Sequence, residues 1–423
     1  MNIIRKAYDW IGNTFQFNNG QFQRVWMTPE TKSGIRVSER SALQIVAIYR
    51  AASIICGAGA ALPIDVTERT PDGRRVKRED HPVERLLDVE PNPEMSTMDL
   101  RHFLWMSYLL WGNGYALIVR RPGNDRKPIG LWPLQPDCME VKRNESTGEL
   151  VYLYTPPNTG TPKPYGMGDI LHVRGLSLDG INGISAIQAA AESLGLNQAI
   201  QHYAAKFMSG GAAQRLAITF PNPNIGEDQI EQLRRDWASK YGSIDSYDRP
   251  VILKAGGTAT AIGINPRDAM LIELMQLTDE RCAMLFGIPP HMLGLVSKTT
   301  SWGTGIGEQK QGFHTFTMQP HLVFHEKAYE RCLLDRKEES QVSIKHNVSA
   351  YLRSDYKGRM EGHIMAVANG IFNRDEVRAF EDHEPIPGGG GQIYTVQQQY
   401  VPIDMTGQIA MGAGGGTGGN ANA

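Results

Sequence analysis

The sequence predicts an α+β protein built from more than one packed core, and three observations carry that reading. Two long stretches, Ser185 to about Met208 and Pro266 to Phe286, have helix-forming composition, the second with apolar residues spaced three, four and seven apart. Between Tyr115 and Tyr154, short β-branched and aromatic runs alternate with turn residues. The length of 423 residues exceeds what one hydrophobic core ordinarily organises, and 41% hydrophobic residues suffice for two or three.

Residues 1–34 are polar and aromatic without periodicity and read as an arm. Ser38 or Ser41 can cap a helix through about Cys56, with Leu43, Ile45, Tyr49 and Ala52 on its apolar face, and Leu62 to Glu68 then alternates like a strand. The run from Ile45 to Leu62 contains Arg50 and several small residues, so a core helix is expected there and no membrane anchor. Ile3-Ile4 is too short an apolar pair for a secretory signal, so cytoplasmic synthesis is expected. After the Pro91-Asn92-Pro93 breaker, Asp99 to Trp111 reads as helix. Tyr115 to Arg120, Gly130 to Leu134, Met139 to Arg143 and Leu150 to Tyr154 read as strands, with turns at Gly123-Asn124 and Thr147-Gly148.

The two long helices, roughly 36 Å and 31 Å at 1.5 Å per residue, flank a compact unit. Leu216 to Phe220, Val251 to Lys254 and Thr258 to Ile264 are its strands and Glu227 to Tyr241 its helix. In the second long helix, Asn265 suits the cap, Pro266 the first position and Asp268 the positive end, while Gly287 and Pro289-Pro290 end it. Met270, Leu274, Leu277, Met284 and Leu285 form one stripe, and Glu273, Asp279 and Glu280 occupy the other face. Apolar stripes too broad for one partner favour packing against further copies of the chain.

Leu295 to Glu308 has Gly303, Gly305 and Gly307 among hydroxyl side chains and no core of its own; Lys298 and Trp302 stand out in it. Glu308 to Leu334 is helical in pattern, with Gly312 inside it and Pro320 predicting a kink near 316–320. Gln341 to Leu352 reads as a strand, and Asp355 to Ala368 and Asn373 to Glu381 as short helices separated at Gly370. Residues 389–423, rich in Gly, Gln, Asn and Ala, read as a flexible tail or one ordered only on binding.

Several chemistries are disfavoured. Cys56, Cys138, Cys282 and Cys332 form no Cys-x-x-Cys pair, so buried free thiols are expected and neither a metal site nor a disulfide framework. Gly303-Thr304-Gly305-Ile306-Gly307 with Lys310 lacks the Gly-Lys-Ser/Thr ending of a phosphate loop and follows a helix-proline break instead of a strand. His314, His321 and His325 share a helical stretch without the glutamate of a zinc-protease pattern, and surface or interface histidines are expected. Trp105, Trp111, Trp132 and Trp237 sit at core-like positions. No catalytic set, metal or cofactor is predicted.

Phe286-Gly287-Ile288-Pro289-Pro290-His291-Met292-Leu293-Gly294, with the helix before it and the polar loop after it, resembles the signature of bacteriophage portal proteins, the head-tail connectors of long-tailed phages. The resemblance recurs, in family order, in His81-Pro82 with Arg85-Leu86-Leu87, Pro91-Asn92-Pro93-Glu94-Met95-Ser96, Trp111-Gly112-Asn113-Gly114-Tyr115-Ala116, Leu131-Trp132-Pro133-Leu134 and Gly183-Ile184-Ser185-Ala186-Ile187. It covers roughly residues 40–388, and each short motif alone is weak.

The resemblance implies a ring, of twelve subunits by family expectation, at one capsid vertex, through which double-stranded DNA is packaged and ejected. It implies an arm at 1–34, a wing at 35–183, stem helices at 184–211 and 265–287 and a clip at 212–264. A tunnel loop, kinked helix and return to the wing at 288–352, crown helices at 353–388 and the tail at 389–423 complete it. Lys298, Thr299, Thr300, Ser301 and Trp302 become the tunnel loop that meets DNA, and Glu273, Asp279 and Glu280 candidate channel-lining residues, against the simpler reading of a solvated helix face. The implied partners are the terminase large subunit, the major capsid protein with its scaffold and a head-tail adaptor, in a virion assembled in a host bacterium and without a membrane.

With 43 Lys and Arg against 45 Asp and Glu, the net charge is -2, short of the basic field of a tight nucleic-acid binder. A conduit is compatible with that, because fixed cations add salt-dependent affinity and hold DNA in place. The competing classes are a nucleotide-hydrolysing packaging enzyme, which the missing Walker motif disfavours, and a capsid structural protein without a channel.

Overall fold

The computed structural model describes residues 31–209 apart from 124–125, 145 and 158–159; then 216–219, 228, 231–232, 235 and 258–261; then 271–295, 309 and 311–348 apart from 337 and 339; and lastly 356–395. The chain divides into two units, 1–346 and 347–423.

The first unit begins with α1 (Glu39–Ala42), capped by a reciprocal Ser38/Ser41 box, and α2 (Val46–Ala61), which leads into β1 (Ile64–Arg69) and the short β2 (Arg75–Lys77). The predicted single helix is therefore broken at 43–45 and runs five residues further than expected. At α3 (Pro82–Glu84), His81 Nδ1 accepts from Val83 N, and a π-turn (Arg85–Val89) follows. Asn92 donates to Leu131 O at 2.7 Å, tying the Pro-Asn-Pro bend to a strand, and Ser96 caps α4 (Thr97–Trp111) in a box with Asp99.

β3 (Asn113–Arg120) pairs antiparallel with β4 (Pro128–Leu134) and β8 (Ile170–Arg174), while β6 (Leu150–Tyr154) lies between β5 (Met139–Arg143) and β7 (Lys163–Gly166). Strands β2, β7 and β8 carry no clear alternation and are additions to the sequence reading. The first sheet is completed from a distance: β11 (Val342–His346) pairs antiparallel with β1, Ile64 opposite His346. Then come α5 (Ala186–Ala189), α6 (Ala191–Ser209), the antiparallel pair β9 (Leu216–Thr219) and β10 (Thr258–Ala261), α7 (Leu271–Leu285) and α8 (Gln319–Leu333). Between the paired strands, Asp228, Glu231, Gln232 and Arg235 are helical; Val251 to Lys254 and Trp237 lie outside the described residues.

Trp105 of α4, fully buried, is the centre of this unit. Gly59 of α2 lies flat against its indole, where any Cβ would collide with the ring. His325 of α8 stacks on the other side, with centroids 4.2 Å apart and planes within 8°, and His321 and His346 approach edge-on at 6.4 and 6.3 Å. Tyr108 OH meets His321 Nδ1 at 2.7 Å, and Tyr329 OH meets His325 Nδ1 at 3.2 Å. For His321 and His325 this corrects the expectation of surface or interface histidines. Spacing places 321 and 325 on one helical face but does not say that the face meets a tryptophan. Glu326, beside them, receives His346 N at 3.0 Å and Lys345 Nζ at 2.6 Å. Burial pushes its carboxyl up, but bonds from His346 and Lys345 outweigh burial and hold it below the ordinary range.

In the second unit, α9 (Tyr356–Ala368) and α10 (Arg374–Phe380) fall within a residue of the sequence reading, the latter capped by an Asn373/Glu376 box. Residues 389–395, the first part of the stretch read as tail, are bonded to α10. In Pro387–Gln392 two short turns meet at a kink, and Ile386 N donates to Asp375 at 2.8 Å and Tyr394 OH to Glu376 at 3.1 Å. Gly388 and Gly389 supply the positive φ of that kink, so their presence marks structure there instead of slack. Residues 396–423 lie outside the described residues.

The buried imidazoles generate a pH dependence. Burial holds His321 down to about 4 and His172 down to about 3, and His325 well below the ordinary value. The unfolded chain then takes up protons first as pH falls below about 6.5. Stability is full above that pH and is lost toward the folded-state values at up to about 1.4 kcal/mol per pH unit for each histidine. Urea unfolding at pH 7 and pH 5 should show this loss, and His325→Phe, which keeps a ring against Trp105, should reduce the slope by about one proton. A parent protein equally stable at both pH values would contradict this account.

Candidate functional site

The region to which the sequence assigns function is built where the two long helices begin, pack and end. The root of α6 is a polar junction. Gly112, at φ 74°, ends α4 so closely against Gly183-Ile184 that a Cβ would strike the Ile184 carbonyl. Asn113 Oδ1 accepts from Gly183 N at 2.7 Å and from His172 Nε2 at 3.0 Å, while its Nδ2 donates to Gly183 O at 2.9 Å. Ser185 caps α5 through Gln188 N and donates to Leu110 O at 2.7 Å. Two separate motifs of the resemblance thus meet at one place and aim α6.

Helix α6 packs on α7, and α7 also on α2. Leu194 and Ile200 from α6, Cys282 and Ala283 from α7 and Phe286 just beyond it are buried. Within this seam is a polar line: Gln201 donates to Asn197 Oδ1 at 2.8 Å, and Asn197 in turn bonds Asp279. Burial raises the Asp279 pKa and the Asn197 bond opposes it. Asp279 therefore leaves the acidic face on which sequence reading placed it. The reason is helical geometry: Glu273 and Glu280 are seven residues apart and return to the same stripe, whereas Asp279 falls about 100° from Glu280. Glu280 is half-buried, and the side chain of Glu273 lies outside the described residues. The opposite condition holds for Leu277, 43% exposed, and Met284, 73% exposed, which carry apolar surface outward.

The exit of α7 is a Schellman motif. Gly287, at φ 62°, donates to Met284 O at 3.1 Å, and the buried Ile288 donates to Ala283 O at 3.0 Å. Pro290–Leu293 forms a 3-10 turn that ends at Gly294 and packs on α2. On the far side of the loop, Phe313–Met318 is a π-turn leading directly into α8, with Pro320 in the first turn. Where the sequence predicts a kink near 316–320, the structure has i→i+5 bonding, followed by a proline that cannot donate. Thr317 Oγ1 donates to Gly287 O at 2.6 Å, joining the two ends of the loop. Sequence reading did not single out Thr317; a lone threonine in a helical pattern carries no signal of such a bond. Lys298, Thr299, Thr300, Ser301 and Trp302, like Gly303 to Gly307 and Lys310, lie outside the described residues.

Among the described residues, no group of three His, Cys, Asp or Glu side chains is arranged to hold a metal, and no helix is long and apolar enough to cross a membrane. The four cysteines are free; burial pushes the thiols of Cys56 and Cys282 up to about 12.

The family model described as phage portal protein matches residues 46–382. The portal protein of Enterobacteria phage HK97 is 31% identical over 368 residues, covering 87% of this chain and 85% of that protein. The "Probable portal protein" of Streptomyces phage phiC31 is 30% identical over 374 residues, covering 86% and 80%. In fold, the chain is similar to a subunit from the neck of an empty GTA particle determined with C6 symmetry, with TM-score 0.56 and 23% identity over 86% of this chain and 98% of that one. It is also similar to the crystal structure of an HK97 family phage portal protein from Corynebacterium diphtheriae, with TM-score 0.56 and 12% identity over 75% and 97%.

The helix exit supplies a test. A Cβ at position 287 would meet an unfavourable positive φ and stand 2.9 Å from Thr317 Oγ1. Gly287→Ala should destabilise the fold by about 1–3 kcal/mol in urea unfolding; a variant as stable as the parent would show that neither strain nor the close approach matters.

Proposed function

This chain belongs to the phage portal protein family, and from that membership we propose that its copies close into a ring forming the DNA channel at one capsid vertex. In this reading, the portal nucleates head assembly, docks the terminase large subunit during packaging and later carries the head-tail adaptor, with the major capsid protein and scaffold as its neighbours in the virion. It performs no catalysis; the motor supplies the work. The ring of twelve is the family expectation.

One observation supports the ring from the chain itself: α7 presents Leu277 and Met284 outward beside a seam already closed by α6 and α2. At about 25 cal/mol per Å² of apolar surface, covering such residues in every copy favours association. Residues 184–211 and 265–287 then act as stem, 35–183 with the return through 352 as wing, 212–264 as clip and 353–388 as crown. Glu273 and Glu280 repeat around the axis as an acidic wall that does not retain phosphate. Lys298 through Trp302 supply the loop that meets DNA, where one cation per subunit gives only weak, salt-dependent attraction.

Replacing residues 296–307 by a shorter Gly-Ser link should leave rings visible in electron micrographs but reduce packaged, retained DNA by roughly tenfold or more, whereas Lys298→Ala should change it by less than roughly twofold. Loop-deleted rings that fill and hold genomes like the parent would remove the loop from the mechanism. Nucleotide turnover by the purified chain would point instead to a packaging enzyme.

A further inference from the structure

The bond between Thr317 and Gly287 has a role beyond joining two chain ends, and the inference rests on the portal reading above. We infer that Thr317 is a positioning residue: its hydroxyl holds the π-turn at 313–318 in register against the exit of α7, and so fixes the direction in which the chain enters and leaves the loop. Three observations converge on it.

Thr317 is 9% exposed, and its Oγ1 donates across to Gly287 O at 2.6 Å. A helical threonine more often bonds back to its own preceding turn. The acceptor is made reachable by Gly287, which has no Cβ to hold the hydroxyl away. The π-turn is the third observation. It takes one residue more per turn than an α-helix, with Gln319 N bonded to His314 O. Relaxing it to α geometry rotates the residues before it by about 100° relative to α8. That rotation swings Thr317 away from Gly287, so clasp and π-turn stand or fall together. Phe316, 82% exposed on the same turn, would sweep through the same arc. An α-helical form without the clasp would be the second of two discrete arrangements, the property required of an element that passes a displacement from stem to loop.

The test uses the full-length assembled protein. Thr317→Val keeps size and removes the hydroxyl; Thr317→Ser keeps it. Thr317→Val rings should form and melt near the parent temperature, yet amide hydrogen exchange at 287–295 and 311–319 should quicken by roughly five- to tenfold, the change that loss of one hydrogen bond brings. DNA retained after in vitro packaging should fall several-fold, and Thr317→Ser should restore both. Unchanged exchange in Thr317→Val overturns the inference, as does a large loss of melting temperature that Thr317→Ser fails to repair. A parent that fills no heads sinks the portal reading, while the exchange measurement still decides the clasp.

Discussion

The two faces of the Trp105 indole set the geometry of the first unit. One face needs a glycine, since any side chain at position 59 would occupy the ring's own space, and that requirement brings α2 against α4. The other face is taken by His325, which brings α8 across the same layer and carries β11 onto β1. Truncating such a buried aromatic ordinarily costs about 3–5 kcal/mol, a large share of a domain's net stability. Histidines in place of leucines add polar handles. Tyr108, Tyr329 and Glu326 each find an imidazole partner, and these directional bonds fix rotations that apolar packing alone leaves loose.

From that centre, the long helices inherit their positions. Helix α4 ends at Gly112, whose left-handed turn and contact with Gly183-Ile184 aim α6, while α2 receives both α7 and the 3-10 turn beyond it. The elements on either side of residues 296–308 are therefore tied to the core, and Thr317 ties them to each other.

Most elements were legible in the sequence because their signals are local. Asn373 and Gly287 mark helix ends through bonds within a few residues, and Met139–Arg143 and Leu150–Tyr154 were bounded by turn residues. What escaped depended on distant partners. Strand β8 earns its place by pairing with β3, His325 by meeting Trp105, and Asp279 by meeting Asn197, and none of these pairings leaves a periodic trace. Spacing grouped Asp279 with Glu273 and Glu280 on one acidic face, whereas the structure bonds Asp279 to Asn197 in the seam between helices. Pro320 predicts a kink from its missing N–H, but the i→i+5 bonds of the π-turn before it leave no separate mark in the sequence.

The central claim is that apolar surface left on α7 is covered by a second copy of the chain in a closed ring. A single-particle electron cryomicroscopy reconstruction of the purified full-length protein tests it most directly. The account predicts a ring with an open central channel in which Leu277 and Met284 lie buried between neighbouring subunits. A monomer, an open filament, or a ring that leaves both side chains in solvent would contradict it.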